Sequence, residues 1–199
     1  MATLMNEAQV QAALQSGDYM VRADAVKIIT DAQLLWEIAR NDLDYYVRQL
    51  AVEKMTNEEH LAKIAKEDID YYVRMTAVKK IMNNTILFEI ALYCAGDFYI
   101  SKEAINQMND QNKLHVLTKR LQDRDLVAFV ISKIEDETIL LAIAKHAVDF
   151  HNRCAALKKI TDHLIIEDIA KTDTDYYVRA TAVMIIKDQQ VIKEIIYND

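Results

Sequence analysis

Three pairs of carboxylates, Asp42/Asp44, Asp68/Asp70 and Asp173/Asp175, stand two residues apart, a pairing that general acid–base chemistry uses. His146, His151, Cys154 and His163 offer the ligand types of a zinc site, and His151 and Cys154 share a helix face at i and i+3. A Cys–His pair could also supply a nucleophile and its base. Residue type alone is not enough. Zinc needs three or four convergent ligands, and the customary short-spaced pairs are missing. A hydrolase needs an oxyanion hole and an orienting acid, which short repeat helices do not obviously supply. The carboxylate pairs recur at one register, whereas an active site rarely recurs several times in one chain. The sequence therefore predicts no catalytic residue, no metal ligand and no cofactor, and it reads the paired aspartates as structural.

The elements that position these residues are constrained by composition. The 199 residues include no proline, two glycines and two cysteines, with a formal charge of −7 and 52% apolar residues. That apolar content excludes a disordered chain. The scarcity of Gly and Pro argues against sandwiches and barrels. Gly17 and Gly96 are isolated, so no phosphate-cradling loop exists. Cys94 and Cys154 have no CxxC spacing and read as free thiols of a reducing, cytoplasmic protein. The first residues lack the basic-then-apolar pattern of a secretory signal, and runs such as Leu126–Ile131 are too short to span a bilayer. No membrane role is expected. The acidic balance argues against a general nucleic-acid binder.

An internal repeat organises the chain. Asp-Tyr-Tyr-Val-Arg stands at Asp44–Arg48, Asp70–Arg74 and Asp175–Arg179, with a variant at Asp18–Arg22. The register of 26 residues, lengthened once to 27, gives repeats starting at Asp18, Asp44, Asp70, Asp97, Asp123, Asp149 and Asp175. Thirteen residues after each start lies Asp31, Asn57, Asn83, Asp110, Asp136, Asp162 or Asp188. Asp and Asn accept hydrogen bonds from the orphan N–H groups of a helix start. Each repeat thus carries two helix starts. Val47, Ala51, Val52 and Met55 form an amphipathic stripe in one first helix, and Leu35, Ile38 and Ala39 in one second helix. Helices this short are marginal alone, so stacking must stabilise them. Asn6, Val10, Ala13 and Leu14 resemble a lone second helix, which makes residues 1–17 an N-terminal half-repeat cap. The apolar Val183–Ile186, with Ile196 and Tyr197, suits either a closing cap or weak self-association through the C-terminal repeat.

Asp-x-x-x-x-Val-Arg, at Asp42/Val47/Arg48, Asp68/Val73/Arg74 and Asp173/Val178/Arg179, resembles the HEAT-repeat signature, and the short period is close to leucine-rich variant repeats. The resemblance implies an all-α, right-handed α-α superhelical solenoid of about seven short two-helix repeats, forming a single domain over 1–199. It implies an Asp–Arg ladder between neighbouring repeats. By the same motif Arg22 and Arg153 lack their Asp, and Ser101 and Val127 replace the Arg, so the ladder is expected to be incomplete. The cap residues and apolar offsets favour an α rather than a 3₁₀ second helix.

In HEAT-like arrays the Arg-bearing helix lines the concave face. Its outward positions here are Met20, Tyr46, Tyr72, Tyr99, Asp125, His151 and Tyr177, followed three residues later by Gln49, Met75 and Lys102 among others. A tyrosine row suits protein or peptide recognition, since each ring offers area with little rotamer entropy. The neighbouring aromatic row, Tyr45, Tyr71, Phe98, Phe150 and Tyr176, is expected to serve packing. The expected function is a non-catalytic protein- or peptide-binding scaffold, with Tyr46, Gln49, Tyr72, Met75, Tyr99, Lys102, His151 and Tyr177 as the candidate contact residues. The alternatives are a HEAT-like enzyme, of the DNA glycosylase or prosthetic-group lyase type, and a nucleic-acid-binding module. Against nucleic acid, Lys27, Lys79, Lys102 and Lys158 are offset by Asp24, Glu53, Glu103 and Asp125, and the lone Trp36 lies off the stripe.

Overall fold

A computed structural model describes residues 7–186, with 189, 192 and 193. Asp188, Ile196 and Tyr197 lie outside the described residues. The chain is all-α and forms a helical repeat. Its helices are α1 (Glu7–Leu14), α2 (Tyr19–Ile28), α3 (Ala32–Asn41), α4 (Tyr45–Lys54), α5 (Glu58–Glu67), α6 (Tyr71–Lys79), α7 (Asn84–Tyr93), α8 (Phe98–Gln107), α9 (Gln111–Arg120), α10 (Arg124–Lys133), α11 (Glu137–His146), α12 (Phe150–Leu157), α13 (His163–Thr172) and α14 (Tyr176–Ile185). Among the described residues no helix is long and apolar enough to cross a membrane.

Among the described residues, an Asp or Asn cap stands at each boundary of the register. Asp18, Asp44, Asp70, Asp97, Asp123, Asp149 and Asp175 are the N-caps of the first helices, each accepting from a backbone N–H two or three residues on. Asp31, Asn57, Asn83, Asp110, Asp136 and Asp162 cap the second helices in the same way, and these helices are α. The apolar stripes form the core: Val47, Ala51, Val52, Val73, Ala77, Val78 and Ile81 are fully enclosed. In the second helices a buried alanine (Ala39, Ala65, Ala91, Ala144 or Ala170) lets neighbours approach closely; α9 alone has Thr118 there.

The chain divides into two compact units, 1–108 and 109–199. In the first, each second helix packs on the first helix of the following repeat, as α3 on α4, α5 on α6 and α7 on α8. The first helices α2, α4, α6 and α8 pack side by side, while the second helices α3 and α5 touch only slightly. The first helices are therefore the tighter layer. The second unit repeats this, with α9 on α10, α11 on α12 and α13 on α14, and α10, α12 and α14 side by side.

Tight turns join each hairpin, and arginine locks them. Arg22 binds Asp42, Arg48 binds Asp68 and Arg153 binds Asp173, each through two parallel hydrogen bonds of 2.8–3.0 Å. Each of these arginines also donates to the carbonyl six residues before it: Ser16, Asp42 and Ala147. The ladder joins neighbouring repeats, as the resemblance implies, and is fuller than the motif suggests. Arg22 and Arg153, which lack an Asp before them, are fully paired, because the Asp that matters lies twenty residues downstream, in the next hairpin turn. Arg74 reaches Asp97 instead, at 2.6 Å. There the connection 94–97 holds the extra residue of the register, absorbed as a turn in which Asp97 N–H donates to the Cys94 carbonyl at 2.7 Å. Ser101, standing where other repeats have Arg, is buried and donates to the Ala91 carbonyl.

Candidate functional site

The first-helix layer brings the two aromatic rows together at its N-terminal edge. Tyr72, Tyr99 and Tyr177 are 62–65% exposed, and Tyr46 is half-buried. The adjacent row is not interior packing: Tyr45 is 48% and Tyr176 65% exposed, while Phe98 and Phe150 are half-buried. The reason is position. These residues occupy the first turn, beyond the end of the buried Val–Ala–Val stripe, so their rings lie along the edge and meet each other.

That meeting follows one rule in both units. In the first, Tyr72 stands edge-on to Tyr71 at 5.4 Å, Tyr71 to Tyr99 at 6.4 Å, and Phe98 to Tyr99 at 5.5 Å. In the second, His151 lies against Phe150 at 3.8 Å, Phe150 stacks on Tyr177 at 5.4 Å, and Tyr176 stands edge-on to Tyr177 at 5.6 Å. The inner ring of one repeat touches the outer ring of the next. Each unit thus carries a four-ring chain across two helices, a geometry worth more than area burial alone.

The remaining predicted residues adjoin these chains. Lys102 holds its ammonium 5.5 Å from the Phe98 ring centre. Gln49 donates to Thr76 at 3.1 Å, tying α4 to α6, and Met75 is half-buried. Beside the rings, the aliphatic turn residues Leu43 and Ile69 are over 90% exposed. The helix starts of the first unit present Asp18, Asp44, Asp70 and Asp97, while Asp42 and Asp68 are buried against Arg22 and Arg48, and Arg74 is bound to Asp97. This edge is apolar and acidic.

The other chemistry-bearing residues disperse. Among the described residues no group of three or more metal-ligating side chains converges. His151 Nδ1 lies 2.9 Å from Asp149, and the Cys154 sulfur lies 3.4 Å from the Thr181 hydroxyl. Asp149 is held below the usual carboxylate range, first by the His151 backbone N–H and then by the His151 ring. Cys94 is buried, and burial together with Asp97 pushes its thiol up, which keeps it protonated and unreactive. Of the paired carboxylates, Asp42, Asp68 and Asp173 accept from Arg and from the backbone N–H two residues on; Asp44, Asp70 and Asp175 are caps. Lys27 is bonded to Asp24. Trp36 lies in the other layer, stacked on His60 at 4.1 Å with Arg40 over it.

Sequence reading passed over one feature. A cleft of about 940 Å³ lies in the second unit, between the last turns of α9 and α11 and the starts of α10 and α12. No protein-family profile, curated protein or solved structure matches the chain.

Proposed function

We propose that the chain is a HEAT-like, non-catalytic scaffold that binds another protein or peptide along the aromatic edge of its first helices. The observation that carries this reading is the four-ring chain Tyr72–Tyr71–Tyr99–Phe98, kept at the surface where burial would have been cheaper. Rings fixed by their neighbours lose little entropy on contact. The surrounding carboxylates outnumber the arginines, all of which are engaged in the ladder, so the partner segment that suits this edge is basic and apolar. Lys102 over Phe98 shows the contact such a partner would make, an ammonium on an aromatic face. The free thiols Cys94 and Cys154 suit a reducing, cytoplasmic setting.

The test is selection from a displayed peptide library against the full chain. Enrichment of basic–apolar peptides, with binding lost in the Tyr72→Ala/Tyr99→Ala double variant at an unchanged thermal midpoint, supports the reading. No enrichment, or equal binding by the double variant, rejects it.

A further inference from the structure

Seven repeats in one chain act as their own alignment, and three of their departures meet in one place. Thr118 stands where the other described second helices α3, α5, α7, α11 and α13 have alanine. Arg124 stands where the other six repeats have Tyr19, Tyr45, Tyr71, Phe98, Phe150 or Tyr176. Ala147 stands at the turn position that is Asp42, Asp68 and Asp173 in three repeats and Ser16, Ala95 and Leu121 in the other three. All three line the cleft of the second unit. Losing an aromatic ring and a carboxylate there leaves room, and its volume of about 940 Å³ is that of a small-molecule site.

The groups left facing that room are mostly donors. Lys119 and His146 line the cleft, and their side chains make no hydrogen bond or ion pair with described residues. Arg124, 71% exposed, reaches only Asp149, at 3.7 Å. The cleft's other charges are engaged: Arg153 by Asp173, the carboxylate of Asp149 by the His151 backbone N–H and ring, and Asp175 by the Tyr177 N–H it caps. Ile143, Ala147 and Phe150 supply an apolar wall.

We propose that this cleft binds a small organic anion, a carboxylate or phosphate on an apolar body, with Lys119 and Arg124 taking the charge, His146 donating beside them, and Ile143 and Phe150 holding the body. The site is separate from the peptide edge of the first unit and does not depend on it. Charge-assisted hydrogen bonds are the strong ones, so each cation should matter individually.

The test is calorimetric titration of the full chain with phenyl phosphate and phenylacetate, using phenylacetamide as the neutral isostere and inorganic phosphate as the bodiless anion. Saturable binding of both aromatic anions is expected, with the amide and inorganic phosphate weaker by about tenfold or more. Lys119→Ala and Arg124→Ala should each weaken the anions by about tenfold at an unchanged thermal midpoint, both side chains being exposed. Arg124→Tyr, which restores the residue of the other repeats, should abolish binding and keep the fold. Absence of saturable binding by either aromatic anion overturns the proposal. So does equal binding of the amide or of inorganic phosphate, or unchanged affinity in the three variants.

Discussion

Arg48 and Asp68 stand twenty residues apart and meet as a fork, Nε to Oδ2 at 2.8 Å and Nη2 to Oδ1 at 2.9 Å. Both side chains are almost wholly buried. A buried ion pair recovers its desolvation cost only when its remaining groups are also bonded. Here they are: Nη1 donates to the Asp42 carbonyl, and Asp68 accepts the Asp70 N–H. The pair therefore fixes how one hairpin turn sits on the next. Where the arginine position holds Val127, the position twenty residues on holds Ala147. The ladder is dropped by pairs, so neither charge is left alone.

Arg48→Ala should then cost roughly 3–5 kcal/mol, because Asp68 stays buried without its counter-ion. Arg48→Val combined with Asp68→Ala, the pair that residues 127 and 147 already use, should recover most of that loss. Urea midpoints of the wild type, the single and the double variant decide the matter. A double variant no more stable than the single would show that the arginine matters for packing, not for pairing.

Acid should attack the same ladder. Burial would raise the Asp42 carboxyl, but the Arg22 hydrogen bond, the Asp44 N–H and the nearby charges of Arg22 and Arg48 outweigh it and hold Asp42 below its ordinary value. With a folded pKa below the unfolded value of about 3.9, the unfolded chain binds more protons in acid. The stabilisation is complete above the unfolded pKa and disappears as pH falls through the lower folded one. Thermal midpoints should hold down to about pH 5 and drop below about pH 4. Asp42→Asn should lower the midpoint at neutral pH and flatten the acid limb. Asp110 and Asp149, also lowered, first by backbone N–H donors, leave part of the slope in place.

Local chemistry made most of this fold legible. An Asp or Asn at both register positions is a cap wherever it falls among the described residues, because a cap bonds only two or three residues away. The ladder was half legible. Asp-x-x-x-x-Val-Arg looks like a unit, yet its arginine bonds the Asp of the following turn, a contact that no window of seven residues contains. The aromatic rows are legible as recurring first-turn positions, but their ring-to-ring contact between repeats depends on rotamers that periodicity does not encode. Thr118, Arg124 and Ala147 are visible as departures from the repeat, but the cleft they line depends on packing between helices that the repeat pattern does not encode.

The caps themselves can be weighed. Asp136 accepts from Thr138 and Ile139 N–H at 2.8 and 3.2 Å, and Asn57 from His60 N–H at 3.0 Å. Asp136→Ala and Asn57→Ala should each cost about 1 kcal/mol, the worth of one cap. Calorimetric midpoints should fall by a few degrees in each. An unchanged midpoint would mean that stacking, not capping, sets where these helices begin.

Lysines close the opposite helix ends, and they act between repeats. Lys54 Nζ donates to the Val26 and Lys27 carbonyls at 3.1 and 2.6 Å, Lys80 to Glu53 at 2.7 Å, and Lys159 to Ser132 at 2.5 Å. Each ammonium thus satisfies the last carbonyls of the preceding first helix, where the helix dipole also favours positive charge. The same register position holds Ile28 in the first repeat, and Ile28 is 41% exposed. Lys54→Met keeps the apolar stem and loses only the head, so it should cost about 1 kcal/mol. Lys27→Met, which removes a solvent-screened, exposed ion pair with Asp24, should leave the midpoint essentially unchanged. Hydrogen exchange separates this from a general loss: Lys54→Met should speed exchange in the last turn of α2 before it does so in α4. Faster exchange in α4 alone would make Lys54 a stabiliser of its own helix and not a link between repeats.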